Sequence, residues 1–163
     1  RIALGVGMKV AAYDHDVKSF PIELNCYLSD QPLKVTVKTV SMEEVITTSD
    51  FLTLHVPGGK NPLITAKELA KMKDGIGIVN ASRGGVVSEK DLLNAIHSGK
   101  VAYAGLDVFE NEPKVEPGLL KLNNIILTPH IASATEETRN KMAELTAKNI
   151  IEALEGKTPP NLI

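Results

Sequence analysis

Arg83, Glu110, Glu112 and His130 are side chains whose types can grip an acid and move a proton. A guanidinium holds a carboxylate through two parallel hydrogen bonds. An imidazole titrates near neutrality, and a carboxylate against it raises its proton affinity and fixes its tautomer, which is the pairing that general acid–base work requires. Arg83 stands in Asn80-Ala-Ser-Arg83-Gly84-Gly85, where Ser82 and the glycines permit close approach of backbone to a ligand. His130 follows Thr128-Pro129, and the two acids lie in Phe109-Glu-Asn-Glu-Pro113. Three other histidines carry weaker claims: His97 reads as structural at a helix end, His15 as exposed, and His55 as ambiguous.

Each candidate follows a short apolar run, and those runs are what must position it. Strands are expected at residues 8–13 (MKVAAY), 34–40, 51–56, 75–80, 101–108 and 125–128. Most are apolar on both faces, as a parallel sheet covered on both sides requires, whereas residues 34–40 alternate in part and belong near an edge or in an insertion. Helices are expected between the strands. Ser41-Met-Glu-Glu44 and Thr65-Ala-Lys-Glu68 are capping boxes, and Ser88-Glu-Lys-Asp91 is a weaker one. The helix from Ser88 carries Leu92, Leu93 and Ile96 on one face and stops at Ser98-Gly99. A longer helix over residues 135–154 carries a stripe of Met142, Leu145, Ile150, Ile151 and Leu154 before Gly156 and Pro159-Pro160. The alternation predicts a doubly wound, Rossmann-like α/β fold with a parallel sheet.

In such sheets ligands bind beyond the carboxyl ends of the strands. The clusters Tyr13-Asp14, His55-Val56-Pro57, Asn80 to Gly85, Asp107 with Glu110 and Glu112, and Thr128-Pro129-His130 all fall at strand ends, so they share one rim. An acid at Asp14 would accept hydrogen bonds from an adenosine ribose diol and repel a 2′-phosphate, which favours NAD over NADP. Gly5-Val6-Gly7 is not the matching phosphate loop: position 10 is Val10, and the pair precedes a strand. It reads as the closing turn of a helix.

Composition narrows the partners. With 18 Lys+Arg against 20 Asp+Glu, the net charge of -2 gives no electrostatic reason to expect nucleic acid or an anionic membrane. The mix of 43% hydrophobic and 23% charged residues is that of one soluble domain. No apolar run approaches the roughly 18 residues of a membrane helix. One cysteine, Cys26, excludes an internal disulfide and points to the cytoplasm. No metal site is expected. The chain starts at Arg1 inside an apolar segment, so its phosphate loop is expected upstream. Without the backbone N–H groups that hold a pyrophosphate, these residues alone are expected to be inactive.

The motifs GMKVAAYD, SDFLTLHVP, ELAKMKDGIGIVNASRGGVV, SGKVAYAGLDVFENEP and NNIILTPHIAS, in that order, resemble the NAD-dependent D-2-hydroxyacid dehydrogenase family, and within it the D-3-phosphoglycerate dehydrogenases most closely. The resemblance runs over the whole chain, and it implies that residues 1–155 are an NAD-binding domain short of its first strand and glycine loop and that residues 156–163 are a return segment toward a substrate domain. It implies that Arg83 binds substrate, that Glu112 rather than Glu110 supports the histidine, and that His130 is the acid–base. For the cofactor it implies Asp14 on the ribose and Val56 and Pro57 beside the adenosine. Ala81, Ser82 and Arg83 would line the nicotinamide side, Asp107 the carboxamide, and His130 to Ser133, Ala132 among them, the closing loop. The implied reaction is hydride exchange between NAD(H) and C2 of a D-2-hydroxy acid, with 3-phosphoglycerate in serine biosynthesis the first expectation. Glyoxylate or hydroxypyruvate reduction is the alternative enzyme. NAD-responsive transcriptional corepressors of the C-terminal binding protein type are the alternative of another class, because they keep the same Arg, Glu and His. The resemblance also implies a homodimer through the NAD-binding domain. Between Asp14 and Asp50 the chain is longer than the family pattern, with residues 20–32 as the expected insertion.

Overall fold

The computed structural model describes residues 1–25 and 31–162, so Cys26 and part of the expected insertion lie outside the described residues. The chain opens with one helical turn, α1 (Ile2–Gly5), which Gly7 closes at φ 81, as the Gly5-Val6-Gly7 reading requires. Strands β1 (Ser19–Leu24) and β2 (Leu33–Lys38) pair antiparallel, from Ser19 against Lys38 to Leu24 against Leu33. There follow α2 (Met42–Thr48), β3 (Phe51–Leu54), α3 (Ala66–Lys71), β4 (Ile76–Asn80), α4 (Glu89–His97), β5 (Val101–Leu106), a 3-10 turn at Leu119–Lys121, β6 (Ile125–Leu127) and α5 (Glu136–Leu154). Strands β3 to β6 form one parallel sheet in sequence order.

Two expectations need correction. Residues 8–13 are not a strand: only Ala12 bridges, in parallel to Thr39, with the Val40 amide donating to the Ala12 carbonyl at 2.8 Å. That single-sided contact cannot sustain a ladder, and Met8, Val10 and Tyr13 remain exposed. The run at 34–40 starts and ends earlier, as β2, and lies in a hairpin apart from the parallel sheet. Its partner β1 overlaps the expected insertion and was not anticipated as a strand, because Pro21 argues against one. A two-stranded sheet consists only of edges, where proline is tolerated.

The helix signals held where their chemistry is local. Ser41 accepts the Glu44 amide at 3.1 Å, Ser88 the Asp91 amide at 3.3 Å, and Thr135 the Thr138 amide at 3.2 Å. Thr65 and Glu68 form the reciprocal box. Gly99, at φ 77, ends α4.

Buried residues of α2, α3 and α4, among them Ile46, Leu69, Leu92 and Ile96, join Leu52, Ile78, Ala104 and Leu106 in one core. The opposite row of the sheet, in which Thr53, Val79, Gly105 and Ile126 are register partners, leaves Ile126 71% exposed, and Tyr103 beside it is 65% exposed. The strands are apolar on both faces as read, yet among the described residues helices cover one face. Helix α5 buries none of its residues, so its stripe from Met142 to Leu154 faces outward. Beyond it, the Asn161 amide donates to Asn149 Oδ1 at 3.1 Å, folding the final segment back along α5.

Candidate active site

Because β3 to β6 run parallel, the residues after each strand gather on one rim. Val56 and Pro57 follow β3, Arg83 follows β4, Asp107 and Glu112 follow β5, and His130 follows β6.

His130 Nδ1 lies 2.9 Å from Glu112 Oε2. An ionised carboxylate can only accept, so Nδ1 carries the proton and Nε2 is the nitrogen left for a substrate. Glu112 Oε1 takes the Phe109 amide at 3.0 Å. The His130 bond first, and the Phe109 amide second, hold the Glu112 carboxyl below its ordinary value. The His130 side chain is 49% and the Glu112 side chain 35% exposed, so the pair can be reached. Beside it is a cavity of about 170 Å³ walled by Phe109, Pro113, Val115 and Pro129.

The backbone at His130 has φ 53, a left-handed geometry rare for a residue with a Cβ. Buried Asp107 braces it. Its Oδ1 accepts the Thr128 hydroxyl at 2.5 Å and the Ile131 amide at 2.9 Å, and its Oδ2 accepts the Ala132 amide at 2.8 Å. Burial works against the Asp107 charge, but the Thr128, Ile131 and Ala132 bonds and the nearby His130 outweigh it and keep the carboxyl below its usual range. Among the described residues, every side-chain bond of Asp107 thus runs to the segment that carries His130.

Asn80 does for Arg83 what Asp107 does for His130. It is 2% exposed; its Oδ1 accepts the Ser82 amide at 3.1 Å and the Ser82 hydroxyl at 2.8 Å, while its Nδ2 donates to the Arg83 carbonyl at 3.0 Å. The Arg83 guanidinium is exposed, with one N–H on the Ser82 carbonyl at 2.6 Å. Gly58, after Val56-Pro57, packs on Arg83: a Cβ there would meet the Arg83 Cβ at 3.4 Å. Gly84 packs more tightly still, since a Cβ would lie 1.8 Å from the Phe109 carbonyl oxygen.

The structure therefore brings Glu112, Asp107 and His130 together and sets the Arg83 loop against their support. It sends Glu110 elsewhere, to the start of α4, where its carboxylate accepts the Glu89 amide at 2.8 Å. Among the described residues Asp14 bonds only locally, its Oδ1 accepting the Val17 and Asp16 amides at 2.9 Å, and those bonds lower its carboxyl. His97 lies in the last turn of α4 and His15 is exposed against Asp16, both as read. His55 bonds Thr53 at 3.1 Å. Sequence reasoning missed Glu89, whose only signal was a place inside a capping motif. It also passed over Thr128 as a support for Asp107.

The sequence pattern of the family described as "D-isomer specific 2-hydroxyacid dehydrogenase, NAD binding domain" matches residues 1–132. A glyoxylate reductase of Thermococcus litoralis is 42% identical over 99% of the chain, which spans 46% of that relative. A D-3-phosphoglycerate dehydrogenase of Archaeoglobus fulgidus is 39% identical over 96% of the chain, which spans 28% of it. Among solved structures, a glyoxylate reductase from Paecilomyes thermophila superposes with a TM-score of 0.72 at 46% identity, covering 75% of this chain and 38% of that one. The chain spans about half the length of the first of these relatives, and less of the others.

Proposed function

The chain belongs to the D-isomer specific 2-hydroxyacid dehydrogenases, through their NAD-binding domain, and on that premise we propose that the whole protein reduces a short 2-oxo acid of the glyoxylate or hydroxypyruvate kind. The observation that carries the chemistry is the Glu112–His130 pair at 2.9 Å, with Nε2 open on the rim that also bears Arg83. The substrate size follows the two glyoxylate reductases named above, which are 42% and 46% identical to this chain against 39% for the phosphoglycerate enzyme. On this reading 3-phosphoglycerate, the first expectation from sequence, becomes the second.

Arg83 binds the substrate carboxylate with its fork and draws electron density from the neighbouring carbonyl. His130 Nε2 gives a proton to the C2 oxygen in reduction and takes it back in oxidation, and Glu112 stabilises the imidazolium between turnovers. NADH, when bound, would supply the hydride that C2 gains in reduction, and NAD would accept the hydride that C2 loses in oxidation. The residues present fit that group. Asp14 keeps Oδ2 free of its two amide bonds and can accept from a ribose diol, a fit for NAD over NADP. Half-buried Val56 and exposed Pro57 offer the adenosine an apolar wall. Ala81, Ser82 and Arg83, held in shape by Asn80, would line the nicotinamide side, and Asp107 with His130 and Ala132 its carboxamide edge. A homodimer in the cytoplasm is part of the proposal, and sedimentation of the purified protein tests the dimer.

The test is NADH oxidation by the full-length protein with glyoxylate, hydroxypyruvate and 3-phosphohydroxypyruvate. We expect higher kcat/KM for the two unphosphorylated acids. Preference for the phosphorylated acid would restore the phosphoglycerate reading. Tight NADH binding with no turnover of any of the three would indicate an NAD-responsive interaction module.

A further inference from the structure

We propose that Glu89, at the first position of α4, is a positioning residue: with Glu110 it clamps the Phe109–Glu110 peptide, and that peptide sets Arg83, Glu112 and His130 in register. The inference rests on the reading that these three residues do the chemistry. It assigns work to a carboxylate that plays no part in hydride or proton transfer.

Three polar side chains are buried among the described residues, Asn80 at 2%, Asp107 at 5% and Glu89 at 7% exposed. The first two each shape a loop of the site. Glu89 lies at the back of it, and no Lys or Arg among the described residues forms an ion pair with it. Burying an acid without a cation is costly unless hydrogen bonds repay it. Here they are reciprocal: the Glu110 amide donates to Glu89 Oε1 at 2.6 Å, and the Glu89 amide donates to Glu110 Oε1 at 2.8 Å. The second bond also satisfies a first-turn N–H that α4 leaves without a partner, and it sets a carboxylate at the positive end of the helix dipole.

What makes this a clamp on the site is the peptide it holds. The Phe109 carbonyl, on one side of that peptide, abuts Gly84, the neighbour of Arg83. The Glu110 N–H, on the other side, points to Glu89. The Phe109 N–H, one peptide unit upstream, holds Glu112 Oε1, and Glu112 Oε2 holds His130. Helix α4 is anchored by buried Leu92 and Ile96, so Glu89 ties three loops to a rigid element. The Glu89 carboxyl is pushed above its ordinary value, mainly by burial and further by the charges of Glu110 and Glu116. Both states of the carboxyl keep an oxygen that can accept the Glu110 N–H.

In the full-length enzyme we expect Glu89→Ala to lower kcat by about 10- to 100-fold, the range that a misplacement of about 1 Å costs. The KM for NADH should stay unchanged. Glu89→Gln, which keeps an acceptor oxygen, should restore most of the rate. Adding Glu110→Ala to Glu89→Ala should cost little more, since the two residues form one clamp. A readout independent of turnover is the ¹³C titration of the Glu112 carboxyl. It should move up toward the ordinary glutamate value in Glu89→Ala and stay low in Glu89→Gln. A residue that only stabilised the fold would lower the unfolding midpoint and leave that titration in place. Should Glu89→Ala not fold, Glu110→Ala at the exposed end of the clamp is read in the same two ways. Unchanged kcat with an unchanged Glu112 titration, or a Gln variant as damaged as the Ala variant, overturns the proposal. If the wild-type enzyme turns over no 2-oxo acid, the functional reading fails, and the Glu112 titration still decides the clamp.

Discussion

At His130 a side chain sits in left-handed backbone, at a cost of about 1–3 kcal/mol for such geometry. Three bonds to one buried carboxylate, Asp107, sustain it, so the imidazole presents Nε2 from a fixed base instead of a mobile loop. The substrate arginine is held differently: its backbone is fixed by Asn80 while its guanidinium is exposed. Arg83→Ala in the full-length enzyme should raise KM for the 2-oxo acid and depress kcat while leaving the Kd for NADH nearly unchanged. Normal turnover in that variant would remove Arg83 from its role. Glu112 supplies a pH signature. Its carboxyl titrates below the ordinary 4.5 when folded, so it contributes stability above that pH and loses it as the pH falls through the folded value. Urea midpoints measured from neutral pH down to acid should therefore fall less in Glu112→Gln than in the parent, and parallel curves would count against the pairing. Spacing alone left Glu110 and Glu112 equivalent, because two residues apart in a loop says nothing about direction. Only the turn of the chain sends one acid to His130 and the other to α4.

Among the elements, the helix starts were legible because capping is local: a hydroxyl and an amide three residues apart need no tertiary partner. The four parallel strands were legible from their apolar runs. Residues 8–13 carry the same kind of run but lack a second neighbour among the described residues, and strand formation depends on neighbours more than on propensity. β1 went unread for the opposite reason, since its proline hid a strand that an edge position permits. The close contact between the β4 and β5 loops was not legible at all; Gly84 beside Gly85 was read as room for a ligand to approach the backbone. The group that approaches Gly84 is the Phe109 carbonyl. Gly84→Ala would set a Cβ against the Phe109 carbonyl, backbone on both sides, with no rotamer to relieve it. The loops would have to part, at an expected loss of about 1–3 kcal/mol in urea denaturation, with kcat falling as well. Gly58→Ala, whose Cβ would meet Arg83 at 3.4 Å, is the milder control.

Over the whole molecule, the core is confined to the middle of the chain. Its buried members run from Val45 to Leu119, and the residues packed on them extend only from Val40 to Leu127. The β1–β2 hairpin and α5 flank this body without joining its cluster, while the uncovered row through Tyr103 and Ile126 gives the sheet an apolar outer face of the kind that seeks a partner. Brief trypsin digestion should cut first at Lys9, Lys18, Arg139, Lys141 or Lys148 and leave a resistant fragment spanning β3 to β6. Early cleavage at Lys67, Lys90 or Lys100 would show that the core is not the stable unit. Each strand of that sheet pairs with the next one in sequence, so no strand waits for a distant segment. During synthesis the sheet can close in the order in which it is made. Chain growth adds about 5–20 residues per second. Once Leu127 has left the ribosome, every member of the core cluster is available, and folding of this body need not wait for α5.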